Sequence, residues 1–498
     1  MKTTQSKTCV FVWFLILLTA FAARASVAVY WDVKTRNNPN SLDSYSPNEI
    51  SSFPPAAFFF GDSDSYWKLG RTIAFGRPYE FDNERRWQIF RSPGYPVILA
   101  PLFLFFGENP PTLVARFLGV LFGTLNVLLI GVLAKSLLRF PKSDKMELTH
   151  ILAGAFAALE PTMVLQSVLI LSEESFLTFA LLQNIVILEL SRLLGLLPYP
   201  SRDLKAFAKP QVYIEWNAPQ NLTYTRVFLL SALLGLTTAG AIYIRPSWYY
   251  YLPCFIAFVL LQRFYAGNAH EIDDYHYTRF ANLFSRRKIL FSAFTILVIT
   301  FLALSPWIVR NYKLTRRIIP TTLQMGASLY DGLNPNADGA SNMNFVDDFR
   351  QIEAKSSDSS MEHFEVRLDR RMKEAALSWS LKNPRRVLEL ALIKAYRLWT
   401  PFPREKSFSK PIIVICLFVS YVPIFIMGLL GAYRSIKLKG AAWTLLLPAA
   451  YVTLLHSIFV SSIRYRTPVL YGFFILSAYW ICSRLSKFLD KESATQNK

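Results

Sequence analysis

Only four cysteines occur in 498 residues, and Cys9, Cys254, Cys416 and Cys482 all lie within or beside apolar stretches. That scatter excludes a disulfide framework and a cysteine metal cluster. None of the five histidines stands at a metal-ligating spacing. Asn334, Asn336, Asp338 and Gly339 match the first half of a calcium loop, but Phe345 stands at its twelfth position, where a Glu is required, so they read as turn residues. No metal site and no cofactor is expected, although the residue types leave a loosely held divalent ion open. Internal repeats and paired broken helices in two matching halves are also missing, which weighs against a secondary transporter.

Acidic residues are the other shortage: 34 Asp and Glu stand against 54 Lys and Arg, a formal net charge of +20. The excess falls in short loops at alternate ends of apolar runs, so it reads as a topology signal and nucleic acid is not an expected partner.

What the chain has in abundance is apolar surface, with 52% hydrophobic and 15% aromatic residues. That is more than a soluble core requires, and it predicts an all-α polytopic membrane protein. Runs of about 18 or more apolar residues predict about ten spans, because lipid offers the backbone no hydrogen-bond partner. They are Cys9 to Ala28, Thr112 to Leu138, Thr149 to Leu165, Ser172 to Leu193, Val227 to Tyr243, Ser247 to Leu261, Ile289 to Trp307, Pro411 to Ala432, Ala441 to Val460 and Pro468 to Ile481. Tyr95 to Phe106 and Arg385 to Trp399 are apolar but short, and are expected at the membrane interface.

The Lys and Arg bias places both termini in the cytoplasm of a multi-pass plasma (inner) membrane protein. Ala23-Arg24-Ala25 also fits a signal-peptide cleavage site, and in either case residue 29 emerges outside. Residues 9–485 then form one transmembrane domain with a cytoplasmic tail at 486–498. Two long segments, 29–93 and 308–410, face outward, and an extracytoplasmic active site has to be built from them.

The first of these carries Gly61-Asp62-Ser63-Asp64-Ser65-Tyr66, followed by Arg91-Ser92-Pro93-Gly94-Tyr95-Pro96. Ser63 to Phe75 reads as a helix closed by Gly76, with Asp62 at its N-cap. As a cap, Asp62 holds free backbone N–H groups while Asp64 complements the helix dipole. As a functional group, one of the two carboxylates projects into a cleft and takes a proton from a substrate hydroxyl. Arg91, Arg245, Arg310, Arg464 and Arg466 fall at outer ends, against the topology bias. Guanidinium forks match phosphate oxygens; snorkelling or headgroup contact is the plain alternative. Glu160, Glu173 and Glu174, also near outer ends, need either a cation or a wet cavity.

In this order, the residues resemble a known group. Asp62 to Tyr66, Pro93-Gly94-Tyr95, Pro161 with Ser172-Glu173, Arg245-Pro246, Pro306-Trp307 with Arg310-Asn311, Gly332 with Asn334-Pro335, and Arg464-Tyr465-Arg466 with Pro468 are similar to landmarks of the GT-C glycosyltransferases. Within them the resemblance is to the dolichyl-phosphate-mannose protein mannosyltransferase-like and aminoarabinose-transferase-like enzymes (family 39-like), in a bacterial form. The resemblance spans residues 9 to 485 and implies a GT-C-like helical bundle with interfacial helices in its two long outer loops. It implies inverting transfer of one sugar from a polyprenyl-phosphate carrier to a protein, lipid or polysaccharide acceptor. Asp62 is then the general base, with Asp64 the second candidate two residues away. Tyr66, Arg91, Glu173, Arg245, Arg310, Asn334, Arg464 and Arg466 are the implied substrate- and phosphate-binding residues. The alternatives are an O-antigen-ligase- or polymerase-like enzyme using a lipid-diphosphate glycan, and a non-enzymatic lipid or glycan transporter.

Overall fold

The computed structural model describes residues 2–37, 61–81, 87–137, 144–194, 220–254, 286–355, 362–403, 410–437 and 442–496. Among them the only β pairing is an isolated bridge between Phe81 and Trp87. Helix is the expected outcome for apolar runs of this length, since it satisfies the backbone within the segment.

Among the described residues, six helices are long and apolar enough to cross a membrane. They are α1 (Lys2–Asn37), and, with α2 (Gly61–Ala74) and α3 (Gly94–Phe106) lying between, α4 (Thr112–Leu137). After α5 (Asp144–Leu159) and α6 (Pro161–Val168) come α7 (Glu173–Leu193), α8 (Gln220–Ile244) and α9 (Arg286–Thr315). The sixth is α14 (Pro411–Lys437), beyond the short helices α10 (Met325–Gly332), α11 (Phe345–Lys355), α12 (Phe364–Lys382) and α13 (Pro384–Trp399). The chain is a multi-pass membrane protein, but the expected ten spans are not reached among the described residues.

Proline accounts for much of that difference. The run expected from Thr149 to Leu165 is broken at Glu160 and bends by 56° into α6. Pro161 has no N–H to continue the ladder and holds Glu160 extended at φ −64°, ψ 120°. Glu160 then caps α6, accepting from Met163 N at 2.8 Å. Pro468 lies in a second break, where Ile463–Val469, which includes α16 (Ile463–Arg466), meets the start of α17 (Tyr471–Gln496) at 58°. Counting each bent pair as one span gives eight. The run expected at Ala441 to Val460 forms a 3₁₀ turn followed by α15 (Leu447–Ile458), together too short for the same assignment. Of Ser247 to Leu261, residues beyond 254 lie outside the described residues.

Apolar burial drives little helix association in lipid, so close backbone approach and internal polar bonds carry the packing. Gly431 of α14 lies against α17 so tightly that a Cβ there would sit 2.2 Å from the Leu476 carbonyl oxygen. Three fully buried arginines serve a related purpose, each donating to carbonyls that a helix C-terminus leaves unpaired. Arg24 reaches Ala157 O and Ala158 O at 3.0 Å, at the end of α5. Arg116 reaches Val168 O at 2.8 Å, at the end of α6. Arg466 reaches Leu398 O at 3.1 Å and Thr400 O at 2.6 Å, at the end of α13, with its guanidinium 3.8 Å from the centre of the Tyr421 ring.

The helices between α9 and α14 join the segment after α2 through a shared apolar cluster. Trp87 and Phe90 pack with Ala327, Val346, Leu368 and Met372. Along α13, Leu388, Leu392 and Tyr396 are exposed at helical spacing.

Candidate functional site

Asp62 lies in the first turn of α2, one residue inside the helix start, so it is not the N-cap that the sequence suggests. Its carboxylate turns away from the backbone. Oδ1 accepts from Arg91 Nη2 at 2.6 Å and Oδ2 from Arg464 Nη2 at 2.7 Å. The two guanidiniums come from 29 and 402 residues away in the chain. Arg464 Nε also pairs with Glu173 Oε1 at 2.8 Å, and Arg245 Nη2 donates to the same oxygen at 3.2 Å. Three guanidiniums against two carboxylates leave one positive charge in excess in the cluster. Glu173 Oε2 is buried without a hydrogen-bond partner among the described residues.

Burial works against ionising Asp62, yet Arg91 and Arg464 outweigh it and hold the carboxyl well below the usual range. The side chain keeps 27% of its surface exposed, so a ligand can reach it.

Aromatic rings fix the arginines in place. Arg91 donates through Nε to Ser65 Oγ at 3.1 Å and lies 5.6 Å from the centre of the Tyr66 ring, which stands edge-on to Tyr95. Tyr465 carries Arg464 and Arg245 at 5.1 and 5.6 Å and stacks on His456 at 4.4 Å. Contacts of this kind suit planar guanidinium and would be weaker for Lys.

Pro93-Gly94-Tyr95 explains how α3 reaches this cluster. Ser92 Oγ donates to the Tyr243 carbonyl near the end of α8. A Cβ on Gly94 would lie 2.5 Å from the Tyr243 carbonyl carbon and oxygen. Backbone cannot move aside as a flexible side chain can. Gly94→Ala is therefore expected to destabilise the protein by about 1–3 kcal/mol, read as a lower melting temperature of the purified variant in detergent. An unchanged melting temperature would refute the close approach.

The remaining expected site residues lie elsewhere. Asp64 Oδ2 pairs with Lys68 Nζ at 2.7 Å, one turn along the same helix, and makes no contact with the arginine cluster. Arg310 donates to Gln88 O at 2.8 Å and Tyr79 O at 3.2 Å, with its guanidinium 4.6 Å from the Trp307 ring centre. Asn334 shapes its own turn, donating to Tyr330 O and accepting from Asn336 N, both at 2.8 Å. Arg466 is committed to the carbonyls at the end of α13. Glu174 accepts from Asn126 Nδ2 at 2.8 Å inside the bundle.

An apolar cleft of about 570 Å³ is lined in part by residues that follow Arg91 and precede Arg245 in the chain, and by none of the clustered charges. Pro93, Gly94, Val97, Tyr243 and Trp307 line it, with Arg310 as the charged residue of its wall. Sequence reasoning did not identify Glu365, whose carboxylate accepts from Gln88 N at 2.8 Å and Ile89 N at 3.1 Å. Burial pushes that carboxyl up to about 7, against the pull of these N–H bonds and Arg310. No local pattern marks it, because its partners are more than 270 positions away.

No protein-family model matches this sequence, and no curated protein matches it. Among solved structures, the fold is similar to the oligosaccharyltransferase of Archaeoglobus fulgidus in its apo form, at a TM-score of 0.51 and 13% identity over 95% of this chain. The archaeal oligosaccharyltransferase AglB from Archaeoglobus fulgidus, in complex with an inhibitory peptide and a dolichol-phosphate, gives a TM-score of 0.45 and 13% identity over 96% of this chain. The chain spans about half the length of these structures, 52% and 51%. At this identity the likeness is one of fold, and the chain has a GT-C-like helical fold.

Proposed function

We propose that this chain is a membrane glycosyltransferase that moves a single sugar from a polyprenyl-phosphate carrier to an acceptor hydroxyl on the extracytoplasmic side. The observation that carries this reading is the placement of Asp62 between Arg91 and Arg464, within reach of solvent. A carboxylate and an excess of guanidinium are what an inverting transfer from a phosphate leaving group needs. The apolar cleft next to Pro93 and Gly94 supplies a path for an isoprenoid chain.

In the reaction, the acceptor oxygen forms a bond to the anomeric carbon from the face opposite the phosphate. The bond from that carbon to the phosphate oxygen breaks, and the proton of the acceptor passes to Asp62. Polyprenyl phosphate leaves, its added charge met by Arg464 and Arg91.

Paired with two arginines, Asp62 is a weak base. The donor phosphate competes for the same guanidiniums, so its binding loosens one pairing and raises the proton affinity of Asp62 as the acceptor arrives. Charge repulsion within the site then assists the step instead of opposing it.

The test is to incubate purified protein with a panel of polyprenyl-phosphate sugars and with a lipid-diphosphate oligosaccharide, and to ask which is consumed. Consumption of one polyprenyl-phosphate sugar with release of polyprenyl phosphate supports the reading. Consumption of the oligosaccharide donor alone, or of none, overturns it.

A further inference from the structure

We propose that Glu365 is a positioning residue that holds Arg91 against Asp62, an inference that rests on the transferase reading of that site. Arg91 lies in a short segment, Trp87 to Pro93, that belongs to no helix. Its C-terminal side is held where Ser92 and Gly94 meet Tyr243 of α8, so the direction of the guanidinium depends on what holds the other side.

The support comes from distant parts of the chain. Glu365, in the first turn of α12, is 2% exposed and aims its carboxylate at the backbone N–H groups of Gln88 and Ile89. On the other side of the same residue, Arg310 donates to the Gln88 carbonyl at 2.8 Å. Leu323 N donates to the Ile89 carbonyl at 3.1 Å, and Tyr79 Oη to the Arg91 carbonyl at 3.2 Å. Gln88 and Ile89 thus have partners for both their N–H and C=O groups, and Arg91 for its carbonyl, on α9, α12 or the connecting segments.

Two features single out Glu365 among these. It is a buried carboxylate facing backbone amides, where a neutral oxygen would satisfy one N–H at smaller desolvation cost. It also binds two successive N–H groups at once, which fixes the direction of the chain just before Arg91. Two bonds from one side chain resist rotation of the strap, and they strengthen as the carboxyl ionises, since charge-assisted bonds are roughly twice as strong as neutral ones. Arg310 therefore acts on Arg91 through the same strap and does not touch Asp62.

The test uses the full chain in detergent and an arginine-selective reagent, phenylglyoxal, with labelling at each arginine read by mass spectrometry. Arg385, whose side chain is 95% exposed, reports full reactivity, and fully buried Arg466 reports the integrity of the bundle. Glu365→Gln is expected to raise labelling of Arg91 ~10-fold with Arg385 and Arg466 unchanged, and Glu365→Asp, which keeps the carboxylate, to fall between. Unchanged Arg91 labelling overturns the proposal, as does a rise shared by Arg466, which marks general loosening. In the transfer assay, Glu365→Gln is expected to raise the donor KM ~10-fold and to lower kcat as well, because Arg91 also meets the charge added to the leaving phosphate. An unchanged KM in a variant with a mobile Arg91 overturns the link to the site. If the wild-type protein consumes no polyprenyl-phosphate sugar, the transferase reading fails, while the labelling still decides whether Glu365 holds Arg91.

Discussion

Asp62→Asn is expected to lower sugar transfer ~10³-fold, within the range for loss of a general base, whereas Asp64→Asn keeps near-normal transfer. The two carboxylates are two residues apart and differ only in what they meet. Asp62 turns into the arginine cluster, and Asp64 is bound one turn along its own helix by Lys68. Asn keeps the size of Asp62 and removes both its charge and its capacity to take the proton. The assay compares the variants in membranes at matched expression, with melting temperature as the control for folding. Near-normal transfer by Asp62→Asn with loss in Asp64→Asn reverses the assignment.

Arg464 is expected to be the residue least tolerant of change. It reaches Asp62 through Nη2 and Glu173 through Nε, so one guanidinium holds two carboxylates apart. Lysine offers one ammonium and cannot reproduce that fork, so Arg464→Lys should raise the donor KM at least ~10-fold. Arg464→Gln removes the cation altogether. Stranding a buried charge by removing its partner costs about 3–5 kcal/mol, reduced here because Asp62 keeps Arg91 and Glu173 keeps Arg245. Melting curves of Arg464→Gln, Asp62→Asn and the double variant form a cycle with an expected coupling above about 1 kcal/mol. Strict additivity would mean that the pair contributes nothing beyond its separate members.

Some of this was legible because the physics is local. Asp62 and Arg91 were candidates from their segments, and Glu173, Arg245 and Arg464 from charges at span ends where lipid makes them costly. Arg466 was marked by the same rule, two positions from Arg464 and with the same chemistry. On the short turn of α16 the two side chains diverge, and Arg466 ends on helix carbonyls that only folding brings near it. Arg310 likewise met the rule and was placed on backbone carbonyls. Two of the expected spans are bent pairs among the described residues because apolar composition persists through Pro161 and Pro468, where the backbone bends.

By itself the sequence determined that the chain is helical and crosses a membrane many times, since long apolar runs leave the backbone no other way to satisfy its N–H and C=O groups. It also narrowed the chemistry to a few carboxylates and misplaced arginines. Tertiary structure alone decided which of them meet: Asp62 and Arg464 are 402 residues apart, and nothing local encodes a contact at that distance. The same holds for Glu365 and the strap that carries Arg91. Charges find partners by where helices end in space, and that depends on the packing of the whole bundle.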